Sequence, residues 1–126
     1  FLIFIVFPQG LAPAKAWPGL GVCMIGVSLG LLFFHPDIQW YVGLSGVLHG
    51  LTVLGLTTML GERPLWGGLF LGGVGLKIGL EQVLGASAGM TAFIHSPVIV
   101  DAHLYGAGSG LVYGAARLWL ERRKTP

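Results

Sequence analysis

Apolar residues fill most of this chain in long blocks, without the two-residue alternation of a half-buried strand. The blocks predict helices over 19–34, 41–60, 65–84 and 97–120. They are cut by His35-Pro36-Asp37, by Gly61-Glu62-Arg63-Pro64 and by a small, polar loop over 85–96. A helix of roughly 20 residues at about 1.5 Å each crosses a bilayer core, and each block is near that length. Residues 1–7 are apolar but too short to cross. They have neither the basic start nor the small-residue cleavage site of a signal peptide, so they read as the end of a further helix. Residues 8–18, with Lys15, read as a loop. The expected fold is all-α, a polytopic transmembrane bundle of four complete helices and a remnant. It forms one domain over 1–126, with no linker and no internal repeat.

Composition turns that pattern into a statement about solvent. Apolar residues make up 54% of the 126, charged residues only 10%, and the mean hydropathy is +0.81. Soluble domains carry about 25% charged residues, so too little charge is present to wet a surface, and lipid is the expected surroundings. The 22 glycines show no collagen-like period and point instead to close helix packing. A lone Cys23 excludes an internal disulfide and a cysteine-built zinc site. No cofactor is expected.

Charge placement orients the bundle. Lys15, Arg63 and the cluster Arg117, Arg122, Arg123 and Lys124 fall on one side of alternating spans. The other side holds Asp37 and Asp101 with no Lys or Arg. The first side, C-terminus included, is then cytoplasmic. Trp17, Trp66 and Trp119 stand at inner boundaries and Trp40 and Tyr41 at an outer one. The basic residues are a tail on an apolar body, so no nucleic-acid partner is expected.

Candidate chemistry sits at the outer ends of two spans that run in the same direction. Gly43-Leu44-Ser45-Gly46 opens one, and Ala102-His103-Leu104-Tyr105-Gly106 opens the other, with Gly110 and Gly114 following. Parity puts Ser45 and His103 near one face. A hydroxyl and an imidazole at one depth are the parts of nucleophilic catalysis: the ring takes the proton and the alkoxide attacks a carbonyl. His103, Gly106, Gly110 and Gly114 share a helix face, and Gly46 and Gly50 make a matching small pair. Stripes of this kind let backbones approach closely, and Val at Gly106 or Gly110 is expected to separate the helices more than Ala. Ser45 near a helix N-terminus also places backbone N–H groups, those of Leu44 and Ser45, where an oxyanion would form.

These strings resemble the signature of rhomboid intramembrane serine proteases. The fuller GLSGVLHG at 43–50 and VDAHLYGAGSG at 100–110 resemble the bacterial rhombosortase branch. The resemblance covers 19–120. It implies a Ser45–His103 dyad with no third acidic member, in a multi-pass protein of the bacterial inner membrane whose site faces the outer side. The implied partners are the lipid bilayer and single-pass membrane protein substrates, namely exported proteins with a C-terminal GlyGly-CTERM tail. Gly43, Gly46, Gly106 and Gly110 would pack the helices at the site. His49 stands where many rhomboids have a Tyr stacked on the catalytic His, and is expected either there or in simple packing. The family's His-x-x-x-Asn helix is missing, since the chain contains no Asn; it is expected upstream of Phe1.

Plainer readings stand beside these. A membrane-helix serine is often bonded back to its own helix, and a lone histidine can be a helix contact. His35 and His95 read as solvated loop residues, and a zinc site is not expected, because it needs three or four converging ligands. Lys77 and Glu81, one turn apart, read as a self-neutralising pair, or with Gln82 as organisers of the helix's outer end. Asp101, two residues before His103, faces elsewhere on the helix and reads as a first-turn residue rather than a triad acid. The expected activity is that of a serine endopeptidase. The alternative is an inactive rhomboid-like protein that binds transmembrane clients.

Overall fold

The computed structural model describes residues 13–38, 41, 43–85 and 99–124. Every regular element among them is a helix: α1 (Pro13–Phe34), α2 (Ser45–Glu62), α3 (Pro64–Leu84) and α4 (Val100–Lys124). Residues 1–7, Trp40, His95, Pro97 and nearly all of the 85–96 loop lie outside the described residues.

Local chemistry sets the boundaries, and several differ from those expected. α1 begins at Pro13 instead of Gly19, with Pro18 inside it. Proline suits the first helical position, and one turn further on it forfeits a single backbone bond. α2 begins at Ser45 rather than Tyr41, because Leu44 is its N-cap, without a side-chain cap bond. Arg63 separates α2 from α3 with an extended φ of −137° and ψ of 77°, the conformation that a following proline favours. Pro64 then opens α3. Gly85, at φ 77°, closes it in the left-handed region and donates its N–H to the Glu81 carbonyl (2.9 Å). α4 is regular from Val100, three residues later than expected, and runs to Lys124. Asp101 in its first turn and Arg122, Arg123 and Lys124 in its last both complement the helix dipole.

Glycine decides how these helices meet. A β-carbon on Gly46 would lie 2.5 Å from the Ala102 carbonyl oxygen, and one on Gly50 would lie 2.5 Å from that of Gly106. In the other direction, one on Gly106 would strike the Gly46 carbonyl oxygen, and one on Gly110 that of Gly50. Backbone therefore rests on backbone, and α2 and α4 run parallel along the seam. Gly114 continues it against Thr57. Gly43 takes no part in this packing; it precedes α2 and lies against the Tyr41 ring of its own loop. α1 crosses α4 antiparallel, with Gly26 under Ser109 and Gly30 under the Tyr105 ring. α3 returns antiparallel along α2, Gly67 touching the backbone of Leu60.

The buried residues are few and mostly modest in size. Cys23, Val27, Leu31, Val47 and Ala102 cluster where α1, α2 and α4 meet. Val53, Ile78 and Ala107 cluster where α2, α3 and α4 meet. Many large apolar side chains point outward instead, among them Ile25, Phe33, Leu69, Leu76, Val83 and Val112. By length and composition, α1 over Ala16–Phe34 is the one described helix apolar enough to cross a membrane. The expectation of four such spans is met by four helices but not by four of that apolarity. His49 in α2, Lys77 and Glu81 in α3, and Asp101 with the basic end of α4 dilute the other three.

The seam leaves no room for one methyl group. Gly106→Ala is therefore expected to destabilise the fold by about 1–3 kcal/mol or more, so Ala is not the mild change that the sequence implied. Gly108→Ala, whose added carbon meets nothing within 4 Å, gains helix propensity and leaves stability unchanged or higher. Thermal unfolding of the two variants in detergent checks this; equal midpoints would show that the helices do not touch along the stripe.

Candidate active site

Ser45 is the first residue of α2, so its hydroxyl has no carbonyl one turn back within the helix to bond. The contrast lies further along α2, where Thr52, Thr57 and Thr58 donate to the carbonyls of Leu48, Val53 and Leu54 at 2.7–3.1 Å. The Ser45 Oγ lies instead 3.2 Å from Nε2 of His103, the fourth residue of α4. The parallel seam of Gly46 on Ala102 and Gly106 sets that distance. Ser45 is exposed, whereas His103 is only 5% exposed, so the hydroxyl is accessible and the imidazole is sheltered. The first-turn N–H groups of α2 have no carbonyl partner inside the helix, and no side chain caps them. They and the positive end of the dipole lie beside Oγ.

The second nitrogen of His103 is also occupied. Nδ1 lies 2.9 Å from Glu81 Oε2 on α3. The resemblance implied no acidic partner for His103, and on this point the structure differs: α3 brings a carboxylate to the ring. A carboxylate only accepts, so Nδ1 carries a proton, and in the neutral ring Nε2 presents its lone pair to the serine hydroxyl.

His49 lies over the same ring, with centroids 4.1 Å apart and planes at 18°. Its Nδ1 donates to the Ser45 carbonyl at 2.7 Å, and its Nε2 lies 2.7 Å from Lys77 Nζ. An ammonium group only donates, so Nε2 accepts. Lys77 also meets Glu81 Oε1 at 2.8 Å. The pair expected between Lys77 and Glu81 is present, but it is not self-contained. Five bonds run from Ser45 through His49, Lys77, Glu81 and His103 and back to Ser45.

Two further residues have definite places. Gln82 donates to the Val100 carbonyl at 3.2 Å, tying the C-terminal end of α3 to the start of α4. His35, expected in solvent, lies with Nε2 3.2 Å from Asp101 Oδ2 and its ring 6.1 Å from that of Tyr105. Asp101 thus binds the segment after α1 to the first turn of α4, bonded to His35 and not to His103.

His49, Glu81 and His103 bring ligand-type atoms within 4.8 Å of one another, so a metal has to be considered. The two rings are nearly parallel. Imidazole lone pairs lie in the ring plane, and two stacked rings cannot aim both at one ion at about 2.0–2.1 Å. Lys77 moreover donates to His49 Nε2 at 2.7 Å, which occupies that lone pair and sets a positive charge beside it. The arrangement suits proton transfer, not metal ligation.

The stack gives a prediction. His49→Phe keeps a flat ring over His103 but loses the bonds to Lys77 and Ser45, and its activity is expected between that of wild type and His49→Ala. The Ala variant should lose at least about tenfold, roughly 1.4 kcal/mol of transition-state stabilisation. Cleavage rates in proteoliposomes at matched protein levels check this ordering. An Ala variant as fast as wild type would reduce His49 to packing.

No family model matches this chain, and no curated protein or solved structure matches it either.

Proposed function

We propose that this chain is the catalytic part of a multi-pass membrane serine endopeptidase of rhomboid type, with Ser45 as nucleophile and His103 as general base. The observation that carries the reading is the 3.2 Å approach of Ser45 Oγ to His103 Nε2 between two helices. It is supported by a base whose other nitrogen is held by a carboxylate and by an uncapped helix N-terminus beside the nucleophile.

The membrane setting is supported by the distribution of side chains. Water-soluble proteins bury large apolar residues; this one buries a few leucines and valines with glycine, alanine and cysteine, and exposes many more leucine, phenylalanine and tryptophan side chains. A contiguous apolar exterior of this kind marks a surface made for lipid or a partner. Alternating helices collect Trp17, Arg63, Trp66 and the Arg122–Lys124 cluster at one end, and His35, Asp37 and Asp101 at the other. On the positive-inside rule the basic end is cytoplasmic, and Ser45 lies near the outer face. α2, α3 and α4 then cross the bilayer with α1, their charged side chains turned to one another.

In the reaction, Ser45 Oγ bonds to the carbonyl carbon of a substrate peptide, and its proton moves to His103 Nε2. The oxyanion faces the first-turn N–H groups of α2. As the intermediate collapses, the C–N bond breaks and the proton on Nε2 passes to the leaving amine, giving an acyl-enzyme ester on Ser45. A water molecule then attacks the ester and gives His103 its proton, and the acid product leaves as that proton returns to Ser45. The proposed substrates are single-pass membrane proteins with a C-terminal GlyGly-CTERM tail, following the likeness of 43–50 and 100–110 to rhombosortases. An inactive, client-binding relative has no need of a hydroxyl and an imidazole in bonding contact.

A fluorophosphonate probe is expected to label the protein at Ser45 in proteoliposomes. Ser45→Ala and His103→Ala should each remove the labelling. Undiminished labelling of the Ser45→Ala variant would assign the reactive group elsewhere.

A further inference from the structure

We propose that Glu81, held in place by Lys77, is an acidic third member of the site that orients His103 and balances the charge it gains, so that the site works as a Ser45–His103–Glu81 triad and not as a dyad. The inference rests on the protease reading above and concerns the same site.

The geometry gives Glu81 one position. Its Oε2 accepts from His103 Nδ1 at 2.9 Å and its Oε1 accepts from Lys77 at 2.8 Å, so both ends of the carboxylate are taken and its rotamer is fixed. The pair lies on α3, one turn apart, and reaches α4 across the outer half of the bundle. His103 is then held in three ways: by Glu81 at one ring nitrogen, by Ser45 at the other, and by the His49 ring over its face.

Lys77 has a second task. By donating to His49 Nε2 at 2.7 Å it keeps a lone pair on that nitrogen. The ring stacked on His103 therefore stays uncharged while His103 becomes an imidazolium. Proton and charge balance without a further partner. The Ser45 proton moves to Nε2 and the positive charge forms beside the Glu81 carboxylate. Glu81 keeps its charge throughout, as an orienting carboxylate does in serine hydrolases. Glu81 touches neither substrate nor reacting bond, and is a positioning residue.

The plainer account is that Lys77 and Glu81 neutralise each other so that α3 can sit in lipid. The two accounts disagree about a neutral pair. If neutralisation is the whole role, Lys77→Met with Glu81→Gln should cleave like wild type. If the carboxylate serves His103, the double variant stays slow although no ammonium is left unpaired, and it is slower than Lys77→Met alone, which keeps the carboxylate on His103.

The experiment measures kcat and KM for cleavage of a transmembrane substrate in proteoliposomes, with fluorophosphonate labelling of Ser45 alongside. Glu81→Gln should lower kcat and the labelling rate at least about 100-fold with KM within about twofold. Glu81→Asp, which restores the charge at a shorter reach, should recover at least about tenfold of the loss. The double variant should be as slow as Glu81→Gln, and it carries the test if the single variant fails to fold. Glu81→Gln within about threefold of wild type, or a double variant that regains wild-type rates, overturns the triad and leaves the protease reading standing. A wild-type protein inert to both substrate and probe overturns that reading, and the triad with it.

Discussion

The site depends on one contact, the seam where α2 and α4 touch through backbone alone. Gly46, Gly50, Gly106 and Gly110 each face a carbonyl of the other helix at a distance that admits no β-carbon. With ordinary side chains there, helix axes stand 8–10 Å apart in typical packing. A wider spacing would lengthen the 3.2 Å approach of Ser45 to His103 that the seam now sets. The seam has a chemical consequence because it lies directly below the pair: Gly46 follows Ser45, and Gly106 is three residues beyond His103. Close packing also gives dispersion contact and Cα–H···O contacts in place of a hydrophobic driving force that lipid would not supply.

Above the seam, charge is managed by pairing. Lys77 and Glu81 would be costly on a helix in lipid. Here each is bonded to the other and to a histidine, and neither histidine has an idle nitrogen. The partners differ in kind, and that fixes the direction of each bond. An ammonium must donate, a carboxylate and a carbonyl must accept, and two neutral imidazoles satisfy all three in one arrangement. In that arrangement His103 offers a lone pair to Ser45, so the network that would make α3 tolerable in lipid would also prepare the proposed base.

Much of this was legible in the residues. Parity between alternating spans and the three-four-four spacing of His103, Gly106, Gly110 and Gly114 placed Ser45 and His103 at one depth on facing surfaces. The role of Glu81 was missed, although a signal for it exists. α2 and α3 form a hairpin about Arg63. His49 and Lys77 lie equidistant from Arg63 along the chain, as do Ser45 and Glu81. Folding the sequence at Arg63-Pro64 sets Lys77 beside His49 and Glu81 at the depth of Ser45. Reading the Lys77–Glu81 pair only along its own helix hid this. Other differences have local causes. Pro18 reads as a break, yet α1 runs through it and forfeits one backbone bond there. The pairing of His35 with Asp101 depends on how α1 crosses α4, which no short-range pattern encodes.

The most direct test of the account is the position of the imidazole protons, read from nitrogen chemical shifts of 15N-histidine-labelled protein in lipid by solid-state NMR. His103 should show a protonated Nδ1 and an unprotonated Nε2 at neutral pH, with the Nδ1 proton in contact with the Glu81 carboxyl carbon. His49 should show the same tautomer, with Nε2 perturbed on Lys77→Met substitution. A His103 ring protonated at Nε2, with no contact to Glu81, would contradict the account, because the base would then have no lone pair to offer Ser45.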